Sequence, residues 1–292
     1  GGEALQVEGA EAVAKRLNQA EESEADLNDD QFYAAGGLAR DGIAEKINKA
    51  MATKFPGVKV LEMNDRNELI AIAYAYLQAE IKLTRFYLEN REPFNFESSQ
   101  QKSSPVSAFG VHEYVEKTKD IREQIEVLFA DKPRPFDAPQ EYALDLCRDS
   151  APNQVVVAVL PKRQTLKDML HDLEEKMSAF QPEPEYRAFR SVDGLLVPNI
   201  HWRIQHHFQE LEKKAFANPS LAGTYLDPAI QETTFKLDRS GVFLSSQSEI
   251  APKGGPRHFH FNRPFLLYMK KRGAKHPFFV MWVDNAELLI KK

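Results

Sequence analysis

Four histidines form two short groups whose spacing could support metal binding. His258 and His260 are two residues apart, so on a β-strand both imidazoles point to the same face of the sheet. His206 and His207 add two imidazoles upstream. A zinc ion could bind such a pair, but no nearby Cys, Asp or Glu in the sequence completes a site. We therefore predict no metal site and interpret these side chains as solvated or hydrogen-bonded; zinc binding is the alternative.

Cys147 is the single cysteine among 292 residues, which excludes an internal disulfide and Cys-rich metal motifs. It alternates with Leu144 and Leu146 on a predicted hairpin strand, and no base lies beside it in the sequence. A nucleophilic cysteine needs a neighbour that lowers the pKa of its thiol. The pattern therefore favours a buried, unreactive thiol over a catalytic one.

Glycine pairs and a run of carboxylates are the other candidates for ligand chemistry. The Gly-Gly pairs at positions 36 and 254 lack the neighbouring residues of a phosphate-binding loop. The acidic run at residues 21–30 lacks the spacing and the glycine of a calcium loop, which favours a solvated linker. We therefore predict no cofactor and no catalytic residues, so the chain is not expected to be an enzyme.

The overall charge and hydropathy exclude two classes of partner. The formal net charge is -5, so the chain has no basic surface for nucleic acid or anionic lipid. The longest apolar stretches are shorter than the roughly 18 residues that a membrane-spanning helix requires. We predict no nucleic-acid partner and no membrane span.

The elements that must position these residues are both helical and extended. Apolar residues at helical spacing predict helices near residues 7–17, 43–51, 111–129 and 166–177, the last with Thr165 as N-cap and Asp168 in its first turn. Extended apolar or alternating segments predict strands at 69–77, 142–147, 154–160, 195–204, 232–237, 259–269 and 278–283. Residues 69–77 contain no polar side chain, which is typical of a strand buried on both faces in the middle of a sheet.

The C-terminal strands resemble the serpin family of serine protease inhibitors. The apolar stretch 259–269 is interrupted at Asn262-Arg263-Pro264, between Phe261 and Phe265, and looks like the serpin signature. Residues 278–283 resemble the family's final strand, and residues 231–241 resemble the fifth strand of its large sheet. Residues 69–77 look like the third strand of that sheet.

The resemblance covers residues 41 to 284 and implies an α+β fold with serpin-like mixed β-sheets and helices, missing the N-terminal helical part of a complete serpin. We expect residues 1–40 to form an N-terminal helix and an acidic linker outside the resemblance, and residues 41–292 to form the serpin-like domain. We also expect strands 232–237 and 259–269 to belong to one antiparallel architecture, joined by a long exposed segment.

That joining segment would be the reactive-centre loop, whose hinge is Gly241-Val242-Phe243-Leu244. In serpins a protease cuts the loop, and the freed arm inserts into the large sheet as a new strand before the acyl-enzyme hydrolyses. The family hinge consists of small residues that enter the sheet easily. Here Phe243 is bulky, which disfavours fast insertion.

The scissile position falls among Lys253, Gly254 and Gly255. Counting back from Phe261 indicates Lys253, and counting forward from Gly241 indicates Gly255. Lys253 would suit a trypsin-like protease with an acidic pocket. We nevertheless favour a plain Lys-Gly-Gly-Pro turn at residues 253–256 with no role as bait, and cleavage at Lys253 is the alternative.

The sequence therefore favours a divergent, non-inhibitory serpin-like protein that binds another protein. The alternative is an active serine endopeptidase inhibitor that uses residues 241–258 as bait, and a third, an enzyme on an unrelated α+β fold, requires the signature to be accidental. The partner would be a serine protease or another protein. The resemblance favours an extracellular or periplasmic location.

Overall fold

The computed structural model describes residues 3–19, 24–58, 67–80, 83–113, 118–132, 140–239 and 256–292. The α-helices are α1 (Glu11–Asn18), α2 (Ile43–Lys54), α3 (Lys119–Glu123), α4 (Leu166–Ala179) and α5 (Pro184–Arg187). The strands are β1 (Phe32–Leu38), β2 (Ile70–Glu80), β3 (Leu88–Glu97), β4 (Ser103–Val111), β5 (Glu126–Ala130), β6 (Tyr142–Asp145), β7 (Asn153–Val159), β8 (Gly194–Pro198), β9 (Ile200–His207), β10 (Tyr225–Leu237), β11 (His258–His260), β12 (Phe265–Lys271) and β13 (Phe279–Val283).

The strands form three sheets in the orders β1-β2-β10-β9, β11-β8-β4-β3 and β13-β12-β7-β6-β5. The second sheet is mixed, because β11 runs parallel to β8 whereas β4 and β8 are antiparallel. The predicted α+β class with mixed sheets is therefore confirmed. Within the described ranges, no helix is long and apolar enough to cross a bilayer.

The chain divides into two compact units. One combines Gly1–Ala79 with Arg203–Thr234, and the other combines Glu80–Trp202 with Phe235–Lys292. The predicted N-terminal helix is present as α1, but residues 32–38 form β1 and pair with β2 along their whole length. Residues 1–40 therefore contain more than a helix and a linker, and their place outside the resemblance stays a prediction.

Strand β2 occupies the central position that its apolar sequence predicts. It lies between β1 and β10, and its side chains are buried on both faces. On one face Ile47 and Met51 of α2 are fully buried, and Phe55 contacts Tyr76 with ring centroids 4.6 Å apart. On the other face Ala71 belongs to a second apolar cluster. Burial of apolar area on both faces stabilises this strand more than its intrinsic propensity does.

Helix α4 begins with the predicted capping box. Thr165 Oγ1 accepts from the Asp168 N–H at 3.1 Å, and the Thr165 N–H donates to the Asp168 carboxylate at 3.1 Å. Met169 and Leu173 are buried against the five-stranded sheet, whereas Leu166 is exposed. Met169 and Leu173 therefore define the buried face of this helix.

The predicted helix over residues 111–129 is wrong. Strand β4 continues to Val111, α3 is the only α-helix among the described residues of this range, and residues 126–130 form β5, which pairs antiparallel with β6. Ile121 and Ile125 have helical spacing and both are buried, but the apolar residues after them pair with a neighbouring strand. A partner that is distant in sequence overrides the local periodicity here.

Two segments predicted as single strands are each divided between two sheets. Residues 195–204 belong to β8 and β9, and residues 259–269 belong to β11 and β12. A proline lies at each break, Pro198 and Pro264, and proline cannot donate a hydrogen bond to a strand ladder. The chain therefore changes sheet at these two positions.

The expectation of one antiparallel architecture for residues 232–237 and 259–269 is also wrong. Strand β10 belongs to the first sheet, β11 runs parallel to β8 in the second, and β12 belongs to the third. The apolar pattern of a strand indicates that it is buried but does not identify its partner or its direction.

Candidate functional site

The candidate site consists of the two flanks of segment 240–255. The predicted hinge residues Gly241, Val242, Phe243 and Leu244 lie outside the described residues, as do Lys253, Gly254 and Gly255. The described residues on either side of the segment are Arg239 and Pro256. The structure therefore defines how each end of the segment is attached.

The N-terminal flank is the end of β10. Phe235 is buried and stacks on Phe279 with ring centroids 4.7 Å apart and an interplanar angle of 13°. Lys236 forms an ion pair with Asp238 at 3.2 Å, and Arg239 with Glu89 at 3.1 Å. These four charged side chains are partly exposed, and ion pairs of that kind contribute little stability. The apolar contacts of Phe235 therefore hold this flank.

The C-terminal flank is held by Arg257, whose side chain is fully buried. Its Nη2 donates to the Asp193 carboxylate at 2.5 Å, and its backbone N–H donates to the same carboxylate at 3.0 Å. Two further guanidinium bonds reach the carbonyl oxygens of Tyr186, at 2.6 Å, and Ala188, at 2.7 Å. The buried cation is thus paired and hydrogen-bonded, as burial of a charge requires.

Asp193 is the centre of this network. Burial alone would raise the pKa of its carboxyl, but hydrogen bonds from Arg257 and Arg190 hold that pKa below its ordinary value. The Arg190 guanidinium donates to the same carboxylate at 2.7 Å. Burial lowers the pKa of Arg122 to about 10, and its Nη1 donates to the Asp193 carbonyl oxygen at 2.6 Å. The carboxylate stays ionised because two arginines share it.

The aromatic residues of β11 and the signature surround Tyr142. The rings of Phe259 and Phe261 each approach Tyr142 edge-on with centroids 5.3 Å apart, and Phe261 approaches Phe265 at 5.4 Å. The Tyr142 hydroxyl donates to the His260 carbonyl oxygen at 2.7 Å, and burial raises the pKa of that hydroxyl above its ordinary value. Ring packing around Tyr142 and the hydrogen bond from its hydroxyl to His260 therefore hold β11 in place.

The polar part of the signature forms the turn between β11 and β12. The Asn262 carbonyl oxygen accepts from the Glu97 N–H at 2.7 Å, and Arg263 donates to the Gln140 carbonyl oxygen at 2.7 Å. Asn262, Arg263 and Pro264 are half-buried, whereas the flanking phenylalanines are fully buried. These residues stabilise a corner, and their contacts are structural.

Glu113 is a site residue that sequence reasoning missed. Its carboxylate oxygen lies 2.8 Å from His258 Nδ1, and the potential ligand atoms of Glu113, His258 and His260 all lie within 4.8 Å of one another. The premise that no acidic residue accompanies these histidines therefore fails in the folded chain. By contrast, His207 pairs with Glu212 at 3.0 Å, and no third potential ligand among the described residues joins this pair in a cluster.

Cys147 is buried, as predicted, and its Sγ accepts from the Val155 N–H at 3.3 Å. Burial, with the charge of Asp145, raises the pKa of the thiol to about 12. We expect iodoacetamide at pH 8 to alkylate the native protein about 10³-fold more slowly than the protein unfolded in guanidinium. Mass spectrometry measures both rates, and comparable rates would contradict the assignment.

Comparison with solved structures shows the class to which this fold belongs, the serpin fold. No family model matches the sequence, and no curated protein sequence matches it. The crystal structure of native protease nexin-1 with heparin matches with a TM-score of 0.54 and 13% identity, over 94% of this chain and 85% of that one.

Two further serpins show the same likeness. Serpin48 of the insect Tenebrio molitor matches with a TM-score of 0.50 and 10% identity, over 97% of this chain and 86% of its own. Human glycosylated kallistatin matches with a TM-score of 0.50 and 14% identity, over 85% of this chain and 66% of its own. The predicted serpin-like fold is confirmed, and the predicted lack of an N-terminal helical part stays a prediction.

Proposed function

We propose that this serpin-fold protein binds another protein through segment 240–255 or the adjoining sheet edge, without trapping a protease covalently and without catalysing a reaction. The observation that carries the proposal is the bulky hinge Val242-Phe243-Leu244, which begins five residues after β10 ends at Leu237. A hinge must enter the sheet quickly for trapping to succeed. Bulky side chains slow that step.

The first support comes from the sheet that would receive the arm. Strands β2 and β10 are hydrogen-bonded neighbours, so an incoming strand between them must first separate them. The Tyr76 hydroxyl lies 3.4 Å from the Thr234 hydroxyl across this junction, and Lys236 lies 4.0 Å from Glu80 at its end. Separation would break the shared ladder as well as these side-chain contacts.

The second support comes from the size of the incoming side chains. Protein interiors are closely packed, and extra volume forced into a packed layer costs about 1–3 kcal/mol. In an extended arm, Val242 and Leu244 would face one side of the sheet and Phe243 the other. The aromatic ring would need space that small hinge residues do not require.

The alternative function is serine protease inhibition with Lys253 as bait. It is favoured by the firm attachment of both flanks, through Phe235 on one side and the fully buried Arg257 on the other. A bait segment between two fixed ends can be presented to a protease in one orientation. One experiment separates this function from the proposed one.

The experiment incubates the protein with trypsin-like proteases and analyses the mixture by SDS gel electrophoresis. We expect no SDS-stable complex and no lasting loss of protease activity, whether or not the chain is cut in segment 240–255. Two variants serve as controls in this experiment. Lys253→Ala should abolish any cut at that position. The triple variant Val242→Ala, Phe243→Ala, Leu244→Ala replaces the bulky hinge side chains with small ones while keeping Lys253.

If hinge bulk prevents trapping, the triple variant should form a larger fraction of SDS-stable complex than the unmodified chain. A stable complex with the unmodified chain that disappears in Lys253→Ala would overturn the proposal and establish the alternative.

A further inference from the structure

Three strands bring Glu113, His258 and His260 together. In the sheet order β11-β8-β4, His258 lies opposite Gly194 on one side of β8, and Val111 lies opposite Leu195 on the other side. Glu113, two residues beyond the end of β4, is therefore positioned across β8 from the start of β11. Glu113 is 145 positions from His258 in sequence, so only the fold brings its carboxylate to the two histidines of β11.

Gly194 makes the close approach possible. A Cβ atom at this position would lie 2.2 Å from Glu113 Oε1 and 2.8 Å from its carboxyl carbon. The glutamate side chain thus crosses β8 over the one residue that has no side chain. The absence of a Cβ at residue 194 lets the carboxylate reach His258 Nδ1 at 2.8 Å.

We propose that Glu113, His258 and His260 form a binding site for a divalent transition-metal ion, with Zn²⁺ as the best match. Two imidazole nitrogens and one carboxylate oxygen are ligand types that Zn²⁺ prefers, and a fourth position would remain for water. Ligand atoms about 2 Å from a common tetrahedral ion lie about 3.3 Å apart. The ligand atoms here lie within 4.8 Å of one another, so small side-chain rotations bring them to that spacing.

The surroundings of His260 hold its ring in place. The His260 backbone is fixed by the Tyr142 hydroxyl at 2.7 Å, and its ring packs against Phe94 with centroids 6.2 Å apart. A fixed ring loses less conformational entropy when an ion binds.

The chain contains a matched control for the competing explanation, an ordinary histidine–carboxylate pair on the surface. His207 and Glu212 are 3.0 Å apart, and His171 and Glu175 are 3.4 Å apart on α4. Both pairs have one imidazole and one carboxylate. If a simple pair is all that exists at His258, these pairs should behave in the same way toward zinc.

The experiment is calorimetric titration of the full chain with zinc chloride at pH 7.5, supported by thermal unfolding with and without zinc. We expect one equivalent of zinc to bind and to raise the Tm by about 5 °C when zinc is 100-fold above its dissociation constant. His258→Ala, His260→Ala and Glu113→Gln should each weaken binding at least about tenfold, which is roughly 1.4 kcal/mol. His171→Ala and His207→Ala should leave it unchanged.

Gly194→Ala supplies a test that removes no ligand. The added Cβ displaces the Glu113 carboxylate, so zinc affinity should fall toward that of Glu113→Gln. Circular dichroism checks that each variant is folded, and a variant that does not fold is replaced by its Gln or Asn counterpart at the same ligand. No zinc binding, or binding that is lost equally in His207→Ala, would overturn the proposal. The result is independent of whether the chain inhibits proteases, because protease complexes are scored without added metal.

Discussion

Arg257→Met should lower the free energy of unfolding by about 3 kcal/mol or more, because it leaves the Asp193 carboxylate buried with half of its cationic partners removed. The variant keeps most of the apolar volume of the arginine but loses the guanidinium bonds to Asp193, Tyr186 and Ala188. Arg190 still donates to Asp193, so the loss should lie at the lower end of the range for a broken buried pair. Urea unfolding at pH 7 measures it.

The matched control is Arg163→Met, which removes an arginine that also bonds a carboxylate, Asp172, at 2.9 Å but is half-exposed. Arg163→Met should lower the free energy of unfolding by less than about 1 kcal/mol. A loss below about 1 kcal/mol in Arg257→Met would contradict the role given to this pair.

The pair of Asp193 and Arg257 also predicts how the free energy of unfolding depends on pH. The folded-state pKa of Asp193 lies below its unfolded value, so its stabilising contribution is complete above the unfolded pKa of about 3.9. The contribution is lost as pH falls from there through the lower folded pKa. The stability difference between the unmodified chain and Arg257→Met should therefore narrow below about pH 4 and stay constant from pH 5 to 7.

Gly110→Ala is the second substitution for which we expect a large effect. A Cβ atom at residue 110 would lie 1.8 Å from the Leu195 carbonyl oxygen and 2.7 Å from its carbonyl carbon. These are backbone atoms of β8, which is itself paired with β11 on its other side. The clash cannot be relieved by a side-chain rotation, so β4 and β8 must move apart.

We expect Gly110→Ala to lower the free energy of unfolding by about 3 kcal/mol or more, which is large for a single added methyl group. Gly36→Ala is the control, since a Cβ at that strand position would approach the Ile72 carbonyl oxygen no closer than 3.3 Å. Thermal unfolding followed by circular dichroism compares the two. Equal midpoints would show that β4 and β8 do not approach as closely as described.

Local sequence signals predict local structure here. The capping box of Thr165 and Asp168 and the antiparallel pairing of β6 with β7 both depend on residues close together in the chain. The central strand β2 was predictable as well, because a long apolar stretch has few places to lie except inside a sheet. The signature at Phe261–Phe265 indicated the fold because several of its positions act together at one corner.

Long-range pairing could not be read in the same way. The breaks at Pro198 and Pro264 distribute two apparent strands among different sheets, and no local pattern identifies which sheet receives each part. Glu113 lies at the end of β4, and its relation to His258 depends on β8 lying between the two strands with a glycine at residue 194. Arg257 and Asp193 are likewise unremarkable charged residues until the parallel pairing of β11 and β8 buries them together.

The last part of the chain contributes strands to two sheets. Strand β11 pairs with β8, and β12 and β13 form the edge of the five-stranded sheet beside β7. A peptide bond cut anywhere in segment 240–255 would therefore release no fragment in native buffer. The nicked molecule would elute from a gel-filtration column as the uncut one does, and only detergent or denaturant would separate its two pieces.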